Sequence, residues 1–259
     1  MLFEELGFDG FAVGERHHVP FLSSAPPVVL SHIAALTSRI RLFTGVKGNG
    51  PEQAELFGIG RLDAWDTIAE NYKLLRQLWS DHKVTWTPPE GVPSIRTTAL
   101  TDAEVHPRPL QPTIRIWHGS ATAERSVELA AEFGDPVFSA NGMNPVTRYA
   151  ELIRHYRSRW AEAGRDPAEA LVGAGHGQTY VTRNSQDAVA AYRPVYERFA
   201  AMVANSGHPG NLSQEQFTAS LELFQAEVAP ALRQTIPDPE WPEPVTVVRR
   251  RRSREPATA

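Results

Sequence analysis

A strand, helix and strand pattern in residues 7–46 constrains the fold more than any other part of the chain. A short apolar strand at residues 11–13 ends in the charged and titratable run 15–18. Pro26 and Pro27 suit the first turn of a helix, and residues 39–45 indicate the next buried strand. One βαβ unit within about forty residues predicts a parallel sheet, with chemistry at the carboxyl ends of its strands.

Several motifs of this unit and of later segments resemble the bacterial luciferase-like flavin monooxygenases. They are GFDGFAVGERHH, SSAPPVVL and TSRIRLFTGV, followed in order by KGNGPEQAELFG, the WHGSAT turn and a final LELFQAEVAPAL helix. The resemblance covers residues 1–241, and it implies an α/β fold of the (β/α)8 TIM barrel type. It also implies that the chain is an enzyme, a luciferase-like flavin-dependent oxidoreductase. It does not identify a substrate.

Composition limits the classes of protein to which the chain can belong. Its 259 residues fit one large domain, and 41% apolar with 22% charged residues is typical of soluble globular proteins. A formal net charge of -4 gives no electrostatic reason to expect a nucleic acid or a membrane as partner. The absence of cysteine excludes disulfides and a cysteine nucleophile. Without a signal peptide or an apolar run of about 20 residues, we expect a cytoplasmic protein.

The predicted barrel is incomplete. Strands are indicated at residues 11–13, 40–44, 114–117, 136–140 and 171–181, so about five of the eight are visible. In the family that the chain resembles, a helix and a strand separate the third strand from the KGN-like loop, whereas here Val46 leads directly into that loop. An eighth strand is also missing. Either segments of a longer protein are omitted, which we favour, or the barrel is reduced. Residues 242–259 are predicted to be a disordered tail.

The other segments give local predictions. A long amphipathic helix begins near Asp63, and proline-rich residues 87–112 are expected to form a surface loop. His118, Gly119 and Ser120 are expected to form a turn before a helix at 122–133. Further helices are predicted to begin at Pro145, at Ser185 and, with a capping box, at Ser213.

Candidate catalytic residues follow the first strand. His17 and His18 lie where a TIM barrel places catalysis, and an imidazole can transfer protons near neutral pH. The resemblance implies that the first histidine of an E-H-H motif lies at the flavin ring, and that position is His17 here. The alternative is that either histidine is a structural residue. A metal site with Glu15 as a further ligand lacks a spaced third ligand.

Two turns could bind the flavin phosphate. Lys47 and the glycines after it offer charge and backbone N–H groups, and the resemblance implies a basic phosphate contact at this position. The better candidate is the segment with Gly119, Ser120 and Thr122, because a helix N-terminus binds anions; the resemblance adds Ser126. The plainer alternative is helix capping by Ser120 or Thr122. Ser139 ends the next strand and is expected to line the pocket.

Three hypotheses of function follow. In the first, reduced FMN from a separate NAD(P)H-dependent flavin reductase reacts with oxygen, and a small organic substrate is oxidised. In the second, an F420-dependent oxidoreductase of the same superfamily transfers hydride. In the third, the chain is a non-catalytic flavin-binding paralogue with a reduced barrel. The resemblance also suggests a homodimer.

Overall fold

The computed structural model describes residues 1–17, 23–47, 55–57, 64–91, 98–120, 123–140, 144–175, 179–205 and 213–236. Several sequence predictions lie outside these ranges. They are the predictions for His18, for the glycines after Lys47, for Thr122 and for the tail at residues 242–259. The side chain of Lys47 is also outside the described part, although its backbone belongs to a strand.

The N-terminal βαβ unit forms as the sequence predicts. Helix α1 (Leu2–Glu5) precedes strand β1 (Gly10–Glu15), helix α2 (Pro26–Leu36) and strand β2 (Arg41–Lys47). Strands β1 and β2 are parallel, and Gly10 pairs with Arg41. Gly7, at φ 88°, follows α1 in the left-handed conformation that glycine adopts readily.

Glu4 stabilises the turn at residues 38–40, which precedes β2. Its carboxylate accepts backbone N–H groups of Ser38 at 3.1 Å and of Arg39 and Ile40 at 2.8 Å. These hydrogen bonds, with that of Ile40 the largest cause, lower the pKa of Glu4 from its ordinary 4.5 to about 2. A carboxylate that accepts several backbone N–H groups is stabilised in its charged form.

Glu4→Gln is therefore expected to destabilise the fold in a pH-dependent way. Because folding lowers the pKa of Glu4, its stabilisation is present above pH 4.5 and is lost as the pH falls toward about 2. Urea unfolding should show a lower midpoint for Glu4→Gln at neutral pH and a smaller difference from wild type at about pH 3. Glu5→Gln is the matched control, because the Glu5 side chain is 71% exposed. A difference that is constant with pH would contradict the prediction.

A β-hairpin corrects the prediction of a loop over residues 87–112. Helix α3 (Ala64–Ser80) is followed by β3 (Val84–Trp86) and β4 (Leu100–Ala103), which pair antiparallel. The backbone N–H of Asp102 donates to Thr85 Oγ1 at 3.1 Å across the pair. The prediction was wrong because strands of three and four residues are too short to show a periodicity of two.

A second parallel sheet carries the main core. It consists of β5 (His118–Ser120), β6 (Val137–Ala140) and β7 (Val172–Gly175) in that order, connected by α4 (Glu124–Phe133) and α5 (Val146–Glu162). Residues of α4, α5 and β6 form one buried cluster that includes Val127, Ala130, Val137, Tyr156 and Trp160. Gly134, at φ 70°, ends α4 as predicted.

Strand β5 lies further along the chain than the sequence predicts. The apolar residues 114–117 are outside it, and the predicted turn at residues 118–120 is wrong, because His118, Gly119 and Ser120 pair with residues 137–139 of β6. The apolar residues 114–117 indicated a strand nearby, but pairing with β6 determines which residues form β5. The result is that Gly119 and Ser120 lie on a strand immediately before α4.

The chain ends in helices, and those after residue 213 pack against the N-terminal unit. The first is α6 (Ser185–Asn205), which contains Pro194; it is followed by α7 (Gln214–Leu223), a π-helical turn (Phe224–Val228) and α8 (Ala229–Thr235). The predicted capping box at Ser213 is confirmed. Phe8 stacks on Phe224 with ring centroids 6.2 Å apart, and Arg233 Nη2 lies 2.7 Å from Asp9 Oδ2. These contacts join segments more than 200 residues apart.

The described residues form an incomplete barrel, as the sequence predicts. Five parallel strands lie in two separate sheets, the hairpin forms a third, and no closed barrel is present in the described part of the chain. Within the same residues, none of the helices is both long and apolar enough to span a membrane.

Candidate active site

His17 follows the carboxyl end of β1 and is held by Glu15. The atoms His17 Nε2 and Glu15 Oε1 lie 2.8 Å apart, and the two side chains are 18% and 23% exposed. Because an ionised carboxylate only accepts hydrogen bonds, Nε2 is the donor and Nδ1 is left as the acceptor nitrogen. The ring of Phe57 packs edge-on against the imidazole, with centroids 5.0 Å apart. Both neighbours therefore restrict the orientation of the His17 ring.

Strand pairing brings the backbone of Lys47 beside this pair. Glu15 of β1 is the partner of Lys47 of β2, after an irregularity in register that follows Val13. A Cβ added at Gly45 would lie 3.3 Å from the backbone nitrogen of Gly14, so the two chains approach closely just before this point. His17 and Lys47, both predicted as site residues, thus belong to neighbouring strand ends.

The β5–α4 turn is organised by serine hydroxyls that bind backbone carbonyls. Ser120 Oγ donates to the Ala123 carbonyl at 3.1 Å, and Ser126 Oγ donates to the Gly119 carbonyl at 3.3 Å. Both serines are 6% exposed. The N-cap of α4 is Ala123, whose own side chain makes no capping hydrogen bond. Ser120 therefore holds the turn together without capping the helix, and Gly119 is exposed at the surface.

Ser139 lies behind this turn. It pairs with Ser120 in the sheet, and its exposed fraction is 0%. Alternation along β6 puts it on the same side as Val137, which belongs to the core with α4 and α5. A ligand would have no exposed surface of Ser139 to contact in this arrangement, so its role in lining a pocket stays a prediction.

A buried polar cluster surrounds Asp135, and nothing in the sequence indicated it. Asp135 accepts hydrogen bonds from Tyr72, from Arg76 Nη1 at 2.9 Å and from His118 Nε2 at 3.2 Å. Its backbone carbonyl accepts the Tyr156 hydroxyl at 2.8 Å. Burial, and then the Asp135 carboxylate, raises the pKa of both Tyr72 and Tyr156, so both phenols stay protonated.

This Asp135 cluster lies at the amino ends of the strands. Asp135 comes before β6, and His118 is the first residue of β5. In barrels of this kind the amino ends carry stability and the carboxyl ends carry catalysis. The cluster therefore anchors α3 to the sheet.

Two cavities among the described residues lie away from His17. One, of about 600 Å³, lies between α3, α4 and α5, and its lining includes Trp65, Arg125 and Arg159. The other, of about 360 Å³, lies at the amino ends of the strands beside Asp135 and Trp160. Neither contains a predicted site residue. In the described ranges, no group of three or more His, Asp and Glu side chains could hold a metal ion.

Comparison with known proteins identifies the family. The model of the luciferase-like monooxygenase family matches residues 1–47 and 46–239. The chain belongs to the luciferase-like monooxygenase family. The two matched segments of this luciferase-like chain meet at Val46 and Lys47, where the sequence predicts that a helix and a strand are missing. The predictions of this family, of its α/β barrel class and of an enzyme are confirmed. No curated protein sequence matches the chain.

Solved structures show that this luciferase-like chain shares its fold with several enzymes. Monooxygenase RslO1 from Streptomyces bottropensis is 20% identical with a TM-score of 0.75, and the match covers 89% of this chain and 90% of that one. The coenzyme F420-dependent tetrahydromethanopterin reductase from Methanopyrus kandleri is 19% identical, with a TM-score of 0.58 and coverages of 78% and 66%. The oxygenating constituent of 3,6-diketocamphane monooxygenase from Pseudomonas putida, in complex with FMN, is 15% identical, with a TM-score of 0.52 and coverages of 85% and 75%.

Proposed function

We propose that the protein is an FMN-dependent monooxygenase. In this proposal a separate NAD(P)H-dependent flavin reductase supplies reduced FMN, and a small organic substrate is oxidised with molecular oxygen. The observation that carries the proposal is the start of α4 behind the exposed Gly119, where the N-cap residue, Ala123, makes no capping hydrogen bond with its side chain. The N–H groups of a first helical turn and the positive end of the helix dipole bind phosphate. The residues present therefore fit the phosphate of a flavin.

In this proposal, backbone N–H groups are the main hydrogen-bond donors to the phosphate. The hydroxyls of Ser120 and Ser126 donate to carbonyls of the same turn, so they fix the position of the first N–H groups of α4. Lys47, at the end of β2, is proposed to add positive charge. Thr122 stays a prediction from the sequence.

His17 is the proposed proton-transfer residue. Glu15 binds its Nε2–H and keeps Nδ1 as the nitrogen that can accept a proton. Bound reduced flavin would supply the electrons that activate oxygen, while the protein supplies position and excludes water. Glu15 acts through His17 and is therefore a positioning residue. The proposals for His18 as a second catalytic histidine and for a homodimer rest on the sequence alone.

An F420-dependent oxidoreductase is the second candidate, favoured by the fold shared with the tetrahydromethanopterin reductase. The two candidates differ in the reduced cofactor that is consumed. Absorbance of reduced FMN and of reduced F420 should be followed after mixing with the protein, oxygen and a panel of small organic substrates. Turnover of reduced F420 without turnover of reduced FMN would show that the monooxygenase proposal is wrong. Binding without turnover of either would indicate a non-catalytic paralogue.

Ala123→Asp is expected to change stability and FMN binding in opposite directions. An aspartate at the N-cap accepts first-turn N–H groups and stabilises a helix by about 1 kcal/mol. The same carboxylate would occupy the phosphate site and repel the phosphate group. The Kd for FMN should therefore rise about tenfold, whereas the Kd for riboflavin, which has no phosphate, should not change. Thermal unfolding and fluorescence titration measure the two effects.

Ala123→Asn is the matched control for charge, since it caps the helix without repelling an anion. An equal loss of FMN and riboflavin binding in Ala123→Asp would contradict a phosphate site at α4.

A further inference from the structure

Phe138 lies on the face of the β5–β6–β7 sheet that is opposite the helices. Its side chain is 37% exposed, although its neighbours Val137 and Ser139 are 1% and 0% exposed. Successive side chains of a strand point to opposite faces, and Val137 packs in the core with α4 and α5. Phe138 therefore points to the side that a barrel turns toward its interior.

Two glycines of β7 provide the space for the Phe138 ring. A Cβ added at Gly173 would lie 3.0 Å from Phe138 Cδ2 and 3.1 Å from Trp117 Cζ3, and a Cβ added at Gly175 would overlap the Phe138 ring. Neither glycine has a positive φ, so backbone conformation does not require them. The ring therefore passes over both glycines and reaches Gly175, the last residue of β7. We call Trp117, Phe138, Gly173 and Gly175 the aromatic platform.

The aromatic platform lies beside the turn proposed to bind phosphate. Gly119 of β5 pairs with Phe138 of β6, which pairs with Gly173 of β7. Neighbouring strands are about 4.8 Å apart, so the ring over β7 is roughly 10 Å from β5. A ribityl arm joins the phosphate of a flavin to its ring and can span such a separation. The platform also extends toward the carboxyl end of its sheet, where the α4 turn begins.

We propose that the isoalloxazine ring of the flavin lies against the aromatic platform. Aromatic side chains packed closely on glycines suit a planar ring system as ligand, because offset and edge-to-face contacts between aromatic rings are both favourable. The inference rests on the proposed function and names the residues that contact the ring. It also separates the site into a polar part at α4 and an apolar part over β7, and each part can be tested alone.

The test uses oxidised FMN and riboflavin as probes, with Kd measured by quenching of flavin fluorescence. Phe138→Ala and Gly175→Ala should each weaken binding of both probes about tenfold, since each change removes or displaces the ring of Phe138. The double variant should bind as Phe138→Ala does. The three atoms nearest to a Cβ at Gly175 all belong to Phe138, so the second substitution has nothing left to displace.

Phe217→Ala is the matched control. Phe217 is 40% exposed, like Phe138, but it lies on α7, so its loss should leave both Kd values unchanged. A folded Phe138→Ala variant that binds FMN as wild type does would overturn the proposal, and so would additive losses in the double variant. If Phe138→Ala does not fold, Gly175→Ala and Phe138→Leu decide the question in the same way. Wild-type protein that binds neither FMN nor F420 would instead refute the proposed function, and the platform with it.

Discussion

His17→Ala is expected to lower the rate of substrate oxidation about a hundredfold to ten-thousandfold at saturating reduced FMN. A positioned imidazole contributes an effect of this size as a general acid or base. The structure supports the assignment because Glu15 and Phe57 together fix the ring beside the strand end. Product formation under single-turnover conditions measures the effect without interference from cofactor delivery. Glu15→Gln should give a smaller fall in the rate. The rate should fall because the amide can present its NH₂ group, which is a donor, to Nε2; the fall should be smaller because the amide still contacts the ring.

His82→Ala is the control for the loss of an imidazole. His82 is exposed in the segment after α3, so its replacement should leave the rate and the thermal midpoint unchanged. A folded His17→Ala variant that oxidises substrate at the wild-type rate would remove His17 from the mechanism. The proposal for flavin binding at α4 would not be affected by that result.

Asp135→Ala is expected to lower the free energy of unfolding by about 3 kcal/mol. Removing one partner of a buried ion pair leaves the other charge uncompensated, which costs about 3–5 kcal/mol. The lower end applies because the Arg76 side chain is 28% exposed, whereas that of Asp135 is 7% exposed. The Tyr72 hydroxyl and the His118 ring would lose a partner in the same step. Denaturant unfolding at neutral pH measures the change.

Asp66→Ala provides a matched comparison. Asp66 and Arg125 also pair an aspartate with an arginine between α3 and α4, at 2.6 Å, but both side chains are 57% exposed. Exposed ion pairs contribute about 0–1 kcal/mol, so this substitution should have little effect. Equal losses in Asp66→Ala and Asp135→Ala would show that burial of Asp135 is not what makes its cluster important.

The sequence predicted most of the parallel strands because β1, β2 and β6 are short apolar runs next to glycine or proline. The N-terminal βαβ unit and the left-handed Gly134 follow from residues that are close in the chain. Strand β5 was displaced because its pairing with β6, and not its own apolar content, sets its register. The hairpin of β3 and β4 was missed because its hydrogen bonds join residues 17 positions apart.

Candidate site residues were predictable only where position alone was informative. His17 could be selected because it follows a strand, but its bond to Glu15 required the local geometry. Asp135 gave no signal, because its partners Tyr72 and Arg76 are 63 and 59 residues away in the chain. Helix capping by Ser120, the plainer alternative in the sequence, was reasonable from residue type, yet β5 extends to Ser120 and places it before the N-cap.

The polar anchor at Asp135 and the turn that begins α4 lie at opposite ends of the same short strands. Substitutions that alter one end need not weaken the other, because a rigid sheet separates them. Because of this separation, loops around the proposed flavin site can change in evolution while the part that keeps the protein folded is preserved. Substrate preference could therefore diverge among descendants of this chain at little cost in stability.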